Sequence, residues 1–162
     1  MGYFFHLTSD GLWYEWIGRA SKRDYADLLE EHGEGAWWMM KDDWYGIDVG
    51  YAQENRDCIF WKEIMPLNNT PLYLDFLDRD GVRDQVERIQ ELYSDPPRDL
   101  LERAEFPYLS KTTMDRYVAD SIEFLLEFYY LISEGGIPDE SNSFLDLFPP
   151  ERFTPYPAPL GE

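Results

Sequence analysis

Along the first part of the chain, short runs rich in aromatic and apolar residues alternate with polar turn segments, the signature of strands. Two such runs, 3–8 and 12–17, flank Ser9-Asp10-Gly11, whose Asp-Gly pair predicts a hairpin turn. Three more runs, 36–40, 44–51 and 58–64, are joined by short polar connections at 41–43 and 53–57, the spacing of a meander. In 44–51, Tyr45, Ile47, Val49 and Tyr51 alternate with Trp44, Gly46, Asp48 and Gly50, which predicts one apolar face and one open face. One helix interrupts the strands. It opens at Ser21, carries Tyr25, Leu28 and Leu29 on one side, and stops at Gly33 after His32. The segment 72–77 fits a sixth strand or, with Thr70-Pro71 as cap and first-turn proline, a short helix.

The second half changes to the helical period. The segment 81–93 places Val82, Val86, Ile89 and Tyr93 on one face, and Asp95-Pro96-Pro97 opens a short helix carrying Leu100, Leu101 and Ala104. Thr112 and Asp115 form a capping box for a long helix ending near Ser133, before Gly135-Gly136. Its apolar stripe takes in Met114, Tyr117, Val118, Ser121, Ile122, Leu125, Phe128, Tyr129 and Ile132. Prolines 149, 150, 155, 157 and 159 then forbid regular structure, and Phe153 and Tyr156 are expected to pin this tail to the body.

These elements predict an α+β fold: an antiparallel sheet of about five or six strands, packed on one face by three or four helices. The expected organisation is a single domain over 1–148 with a Pro-rich tail over 149–162 packed on it. A length of 162 residues fits one domain.

Charge narrows the partners. Asp and Glu number 33 and Lys and Arg 14, a net −19, which argues against nucleic acid and against an anionic membrane surface. Aromatics at 17% argue against an acidic disordered chain. Divided after Gly81, the halves hold 16 acids with 7 bases and 17 acids with 7 bases, so the charge is even along the sequence. Four Lys against ten Arg would suit adaptation to salt, but six Trp and ten Phe go beyond what such a surface needs. The short apolar start lacks a basic n-region, and no run reaches the ~18 apolar residues of a membrane span. The expected location is the cytoplasm.

Candidate chemistry is sparse. Gly-x-Ser-x-Gly, phosphate-loop and dinucleotide motifs are absent. Cys58 alone allows no internal disulfide or cysteine zinc site, and it reads as a small buried strand residue. His6 reads as a sheet histidine with a polar partner and His32 as a complement to a helix end. Counted from Phe76, Asp78, Asp80, Gly81, Asp84 and Glu87 match calcium-loop positions, but the first position lacks its carboxylate. An Asp-Gly turn feeding an acid-rich helix start explains the same residues. With 33 acids, paired carboxylates have no specificity for acid–base chemistry. The expectation is no enzymatic activity, no cofactor and no metal.

The informative feature is a combination: acids surrounding an unusually aromatic small sheet. Interfaces favour Trp and Tyr anchors, and rim acids steer a basic partner. The turn 41–43 joins two aromatic strands, so Trp38, Asp42, Asp43, Trp44 and Asp48 are the predicted partner-binding residues. In size, charge and composition the chain is similar to immunity and antitoxin proteins, which implies a binding protein that blocks the active site of a basic toxin. Two alternatives stand beside it: a DNA-mimic inhibitor of a restriction or CRISPR nuclease, and a small enzyme or carbohydrate-binding domain using the Trp-rich sheet. The sequence sets no oligomeric state.

Overall fold

The computed structural model describes residues 2–67, 76–135 and 143–157. Among the described residues every regular element is helical and none is a strand, which overturns the predicted α+β fold and its antiparallel sheet. Helix α1 (Gly2–Trp13) runs through a π-helical stretch, Tyr14–Gly18, into α2 (Arg19–Asp24). Then come α3 (Ala26–His32), α4 (Glu34–Glu54), a second π-helical stretch Phe60–Ile64, α5 (Arg79–Ser94), α6 (Arg98–Leu101) and α7 (Lys111–Ser133). Two 3₁₀ turns, Phe144–Leu147 and Pro150–Phe153, precede the end of the described chain.

The predicted hairpin is continuous helix because burial follows the helical period. Thr8, Leu12, Trp16, Ile17, Ala20 and Ser21 are buried, at steps that return to one face. The turn signal Ser9-Asp10-Gly11 sits inside α1. The Thr8 hydroxyl donates to the Phe4 carbonyl at 3.0 Å and that of Ser9 to Phe5 at 2.9 Å, so both are satisfied within the helix. Gly11 serves a close approach rather than a turn. A Cβ there would meet two ring carbons of Phe144 at 2.6 Å.

Helix α4 absorbs the expected strands 36–40 and 44–51 and the turn between them. Ala36, Met40, Asp43 and Ile47 are buried at intervals of three and four. The period-two pattern fails as a guide there, since Tyr45 and Tyr51 are exposed while Ile47 and Val49 are buried. The expected strand 58–64 is the π-helical stretch. Positions 72–75 lie outside the described residues, and Phe76 and Leu77 form an exposed turn before α5.

The helices expected in the second half are present, with adjusted ends. Asp78 caps α5, accepting the Gly81 N–H at 2.8 Å. Ser110, not Thr112, caps α7 and accepts the Thr113 N–H at 3.1 Å. The helix expected from Ser21 to Gly33 breaks at Tyr25, and Ser21 is buried inside the first run. Gly33 (φ 55°) and Gly135 (φ 76°) follow α3 and α7 in left-handed backbone that favours glycine.

The chain divides into two compact units, Met1–Asp43 with Glu105–Glu162, and Trp44–Ala104. The first has an aromatic core. Phe124 and Phe128 of α7 are fully buried, and Phe144, Phe148 and Phe153 close around them with centroids 4.4–6.4 Å apart. Helix α1 lies antiparallel to α7, with Phe4 and Phe5 against Phe128 and Trp13 edge-on to Tyr117. Trp16 donates its indole N–H to the Arg152 carbonyl at 2.7 Å, and its own carbonyl accepts the Tyr156 N–H at 2.9 Å. The Trp16 and Tyr156 rings stack at 5.9 Å and the Tyr156 hydroxyl donates to the Asp120 carboxylate at 2.8 Å, so Tyr156 is held at three points.

The second unit is tied mainly by polar side chains reaching backbone. Gln53 donates to the Tyr93 carbonyl at 2.7 Å, Trp61 to the Ala52 carbonyl at 2.6 Å, and Gln90 to those of Met65 and Leu67. Phe60 packs on Tyr93 at 4.5 Å, while no residue of α5 is fully buried. Among the described residues, no helix is long and apolar enough to cross a membrane.

Candidate functional site

The five residues expected at the tip of two strands are spread around α4. In the first unit Trp38 is 61% exposed, with the Lys41 ammonium 4.6 Å from its ring centre, one helical turn on. Asp42 is exposed beside them. Asp43 is fully buried, and its carboxylate accepts the backbone N–H groups of Tyr108 at 2.6 Å and Leu109 at 3.1 Å. It therefore fixes the chain entering α7, and its expected exposure in a turn does not hold. In the second unit Trp44 is half-buried and Asp48 exposed, accepting the Tyr93 hydroxyl proton. Burial, then the Asp48 hydrogen bond and charge, push the Tyr93 phenol far above its ordinary range.

Sequence reasoning missed the surface of α7. Val118, Ile122, Leu126 and Tyr130 are 47%, 55%, 55% and 60% exposed, and they follow one another at intervals of four. Eight apolar positions in the predicted stripe of one helix were a sign that it is wider than a single core can cover. The face that is buried centres on Ser121, Phe124 and Phe128, and Phe124 had no place in the predicted stripe. Acids edge the exposed face. Glu123 stands between Ile122 and Leu126 with its side chain 76% exposed, reaching Arg152 only at 4.0 Å. Asp115 is 65% exposed and 3.5 Å from Lys111.

Both units are acidic, roughly in proportion to their size. The first holds 20 acids and 7 bases, net −13, and the second 13 acids and 7 bases, net −6. Many acids are matched at helical spacing, as in Glu15–Arg19 at 2.7 Å, Asp80–Arg83 at 3.1 Å and Asp120–Arg116 at 3.3 Å. His6 and His32 are exposed beside Asp10 and Glu31, and Cys58 is half-buried. Among the described residues no cluster of His, Cys, Asp or Glu could hold a metal ion, and Asp78 is occupied as a helix cap. No family model matches the chain, and no curated protein or solved structure matches it.

Proposed function

We propose that the protein is a non-enzymatic, cytoplasmic binding protein that neutralises a basic partner protein, acting as the immunity protein of a cognate bacterial toxin. The observation that carries this reading is the strong acidity of the first unit, net −13, together with exposed aromatic and aliphatic side chains on its helices. Its acids stand in for the phosphates of the toxin's substrate, and apolar anchors hold the complex once formed. Trp38 and Asp42 belong to that surface; Asp43 supports it from inside.

The DNA-mimic alternative fits less well. A duplex mimic needs uninterrupted rows of carboxylates, whereas the acids of α5 and α7 alternate with arginines that pair with them. The Trp-lined sheet required by a carbohydrate-binding reading is absent from the described residues.

Affinity capture on the tagged chain, with mass spectrometry, should recover a basic protein. Stopped-flow association of that pair should slow steeply with salt while dissociation changes little. Association rates flat from low to physiological salt would remove electrostatic capture, and recovery of no basic protein would overturn the reading.

A further inference from the structure

The exposed face of α7 has the layout of half a helical interface. Val118, Ile122, Leu126 and Tyr130 make a continuous seam about 18 Å long, at 1.5 Å per residue. Side chains repeating at this interval leave the hollows into which a second helix inserts its own. The same helix is already packed on its other side through Phe124 and Phe128, so the seam is held on a rigid support. Exposed apolar stripes of this kind mark interaction surfaces.

Charge selects the occupant. A second copy of this unit would bring another net −13 against the first, which opposes self-association. Glu123 lies at the seam's edge, its side chain 76% exposed and 4.0 Å from Arg152. At the far end, the last turn of α7 holds no basic residue and Glu134 follows directly. The negative end of the helix dipole and a carboxylate thus coincide beside Tyr130. A cation on an incoming helix is favoured at that end and beside Glu123.

We infer that the Val118–Ile122–Leu126–Tyr130 face of α7 receives an amphipathic, Lys/Arg-flanked helix of the basic partner protein. This rests on the reading of the chain as a binder of a basic protein and adds which element of the partner is held, and where. The recognition mode is a helix laid by its apolar side on an apolar seam, with basic flanks meeting the acids.

The test uses the full chain and a fluorescent peptide of about 18 residues, long enough to span the seam. One peptide carries Leu at helical spacing with Lys and Arg between; a second has the same composition in scrambled order. Anisotropy should show the amphipathic peptide binding at least about tenfold tighter than the scramble. Ile122→Ser with Leu126→Ser should bring it down to the scramble's level, while circular dichroism shows an unchanged melt. Val118→Ser with Tyr130→Ala serves as a second pair, and Ile59→Ser, 75% exposed in the other unit, should change nothing. If both peptides bind equally, the seam is not the site, though charge-driven capture of basic partners stands. If neither binds at low salt, both readings fail. A wild-type dimer in sedimentation that Ile122→Ser with Leu126→Ser makes monomeric assigns the face to a second copy and overturns the inference.

Discussion

Asp43 and Leu109 are both fully buried, and the carboxylate of one receives the backbone N–H of the other at 3.1 Å. Tyr108 N–H reaches the same oxygen at 2.6 Å, so one side chain satisfies two consecutive amides in an irregular stretch where no helix could. Asp43→Ala should therefore destabilise the protein by about 2–4 kcal/mol, because one buried and one partly buried donor lose their acceptor. Asp43→Asn, which keeps a carbonyl oxygen, should cost less. Urea denaturation measures both; an alanine variant as stable as wild type would show that the amides find other partners.

Two helical glycines should respond with opposite signs. A methyl at Gly11 collides with the Phe144 ring, itself held among Phe124, Phe128 and Phe153, so Gly11→Ala should cost about 1–3 kcal/mol. At Gly50 an added Cβ meets nothing within 4 Å, so Gly50→Ala should gain up to about 1 kcal/mol from helix propensity alone. Thermal melts of the two variants should move in opposite directions.

Ser121 holds the one buried side-chain oxygen or nitrogen without a hydrogen-bond partner among the described residues. The neighbouring Tyr117 hydroxyl donates instead to the Ser9 carbonyl at 3.0 Å. Ser121→Ala removes a buried polar atom and should leave stability unchanged or raise it by up to about 1 kcal/mol. A clear loss in urea denaturation would mean that the hydroxyl has a partner after all.

Alkaline pH should weaken the fold through three tyrosines. Burial raises the phenols of Tyr93, Tyr117 and Tyr156, and the hydrogen bonds that Tyr93 and Tyr156 donate to the Asp48 and Asp120 carboxylates add to it. Below about pH 10, near the unfolded value, all three are protonated in both states and their contribution is fully present. Above it the unfolded chain releases protons that the folded chain keeps, so stability falls as pH rises. Melts between pH 8 and pH 11.5 should show this fall, and Tyr93→Phe should make it shallower. An unchanged slope in that variant would remove Tyr93 from the effect.

What the sequence revealed tracks how strongly each segment committed to one period. In α5 and α7 the apolar residues recur at helical spacing and Gly135 marks the end of α7, while the true caps, Asp78 and Ser110, precede the expected starts at Gly81 and Thr112 by two or three residues. In α1 and α4 aromatic and β-branched residues are so dense that both periods fit, and strand propensity tips the reading wrongly. Gly11 added a false turn signal because its role, making room for Phe144, depends on a residue far along the chain. The candidate site failed for the same reason. Asp43 looked like a turn acid, and only the partner segment at Tyr108 and Leu109 shows it to be internal. The charge balance was fully visible, and it carries over to the two units roughly in proportion to their size.

The bond from the Trp16 indole to the Arg152 carbonyl spans 136 residues. It sets an order of events during synthesis. By the time Ala104 has left the ribosome, every residue of the inserted second unit is present, and its side-chain tie from Tyr93 back to Asp48 closes only 45 residues. The first unit cannot close then. Leu12, Trp16 and Ile17 have emerged early, yet the aromatic layer of α7 and the Tyr156 stack that cover Trp16 come last. Throughout that interval the nascent chain carries an uncovered aromatic helix, the kind of surface that holdase chaperones bind and that aggregates when they are scarce.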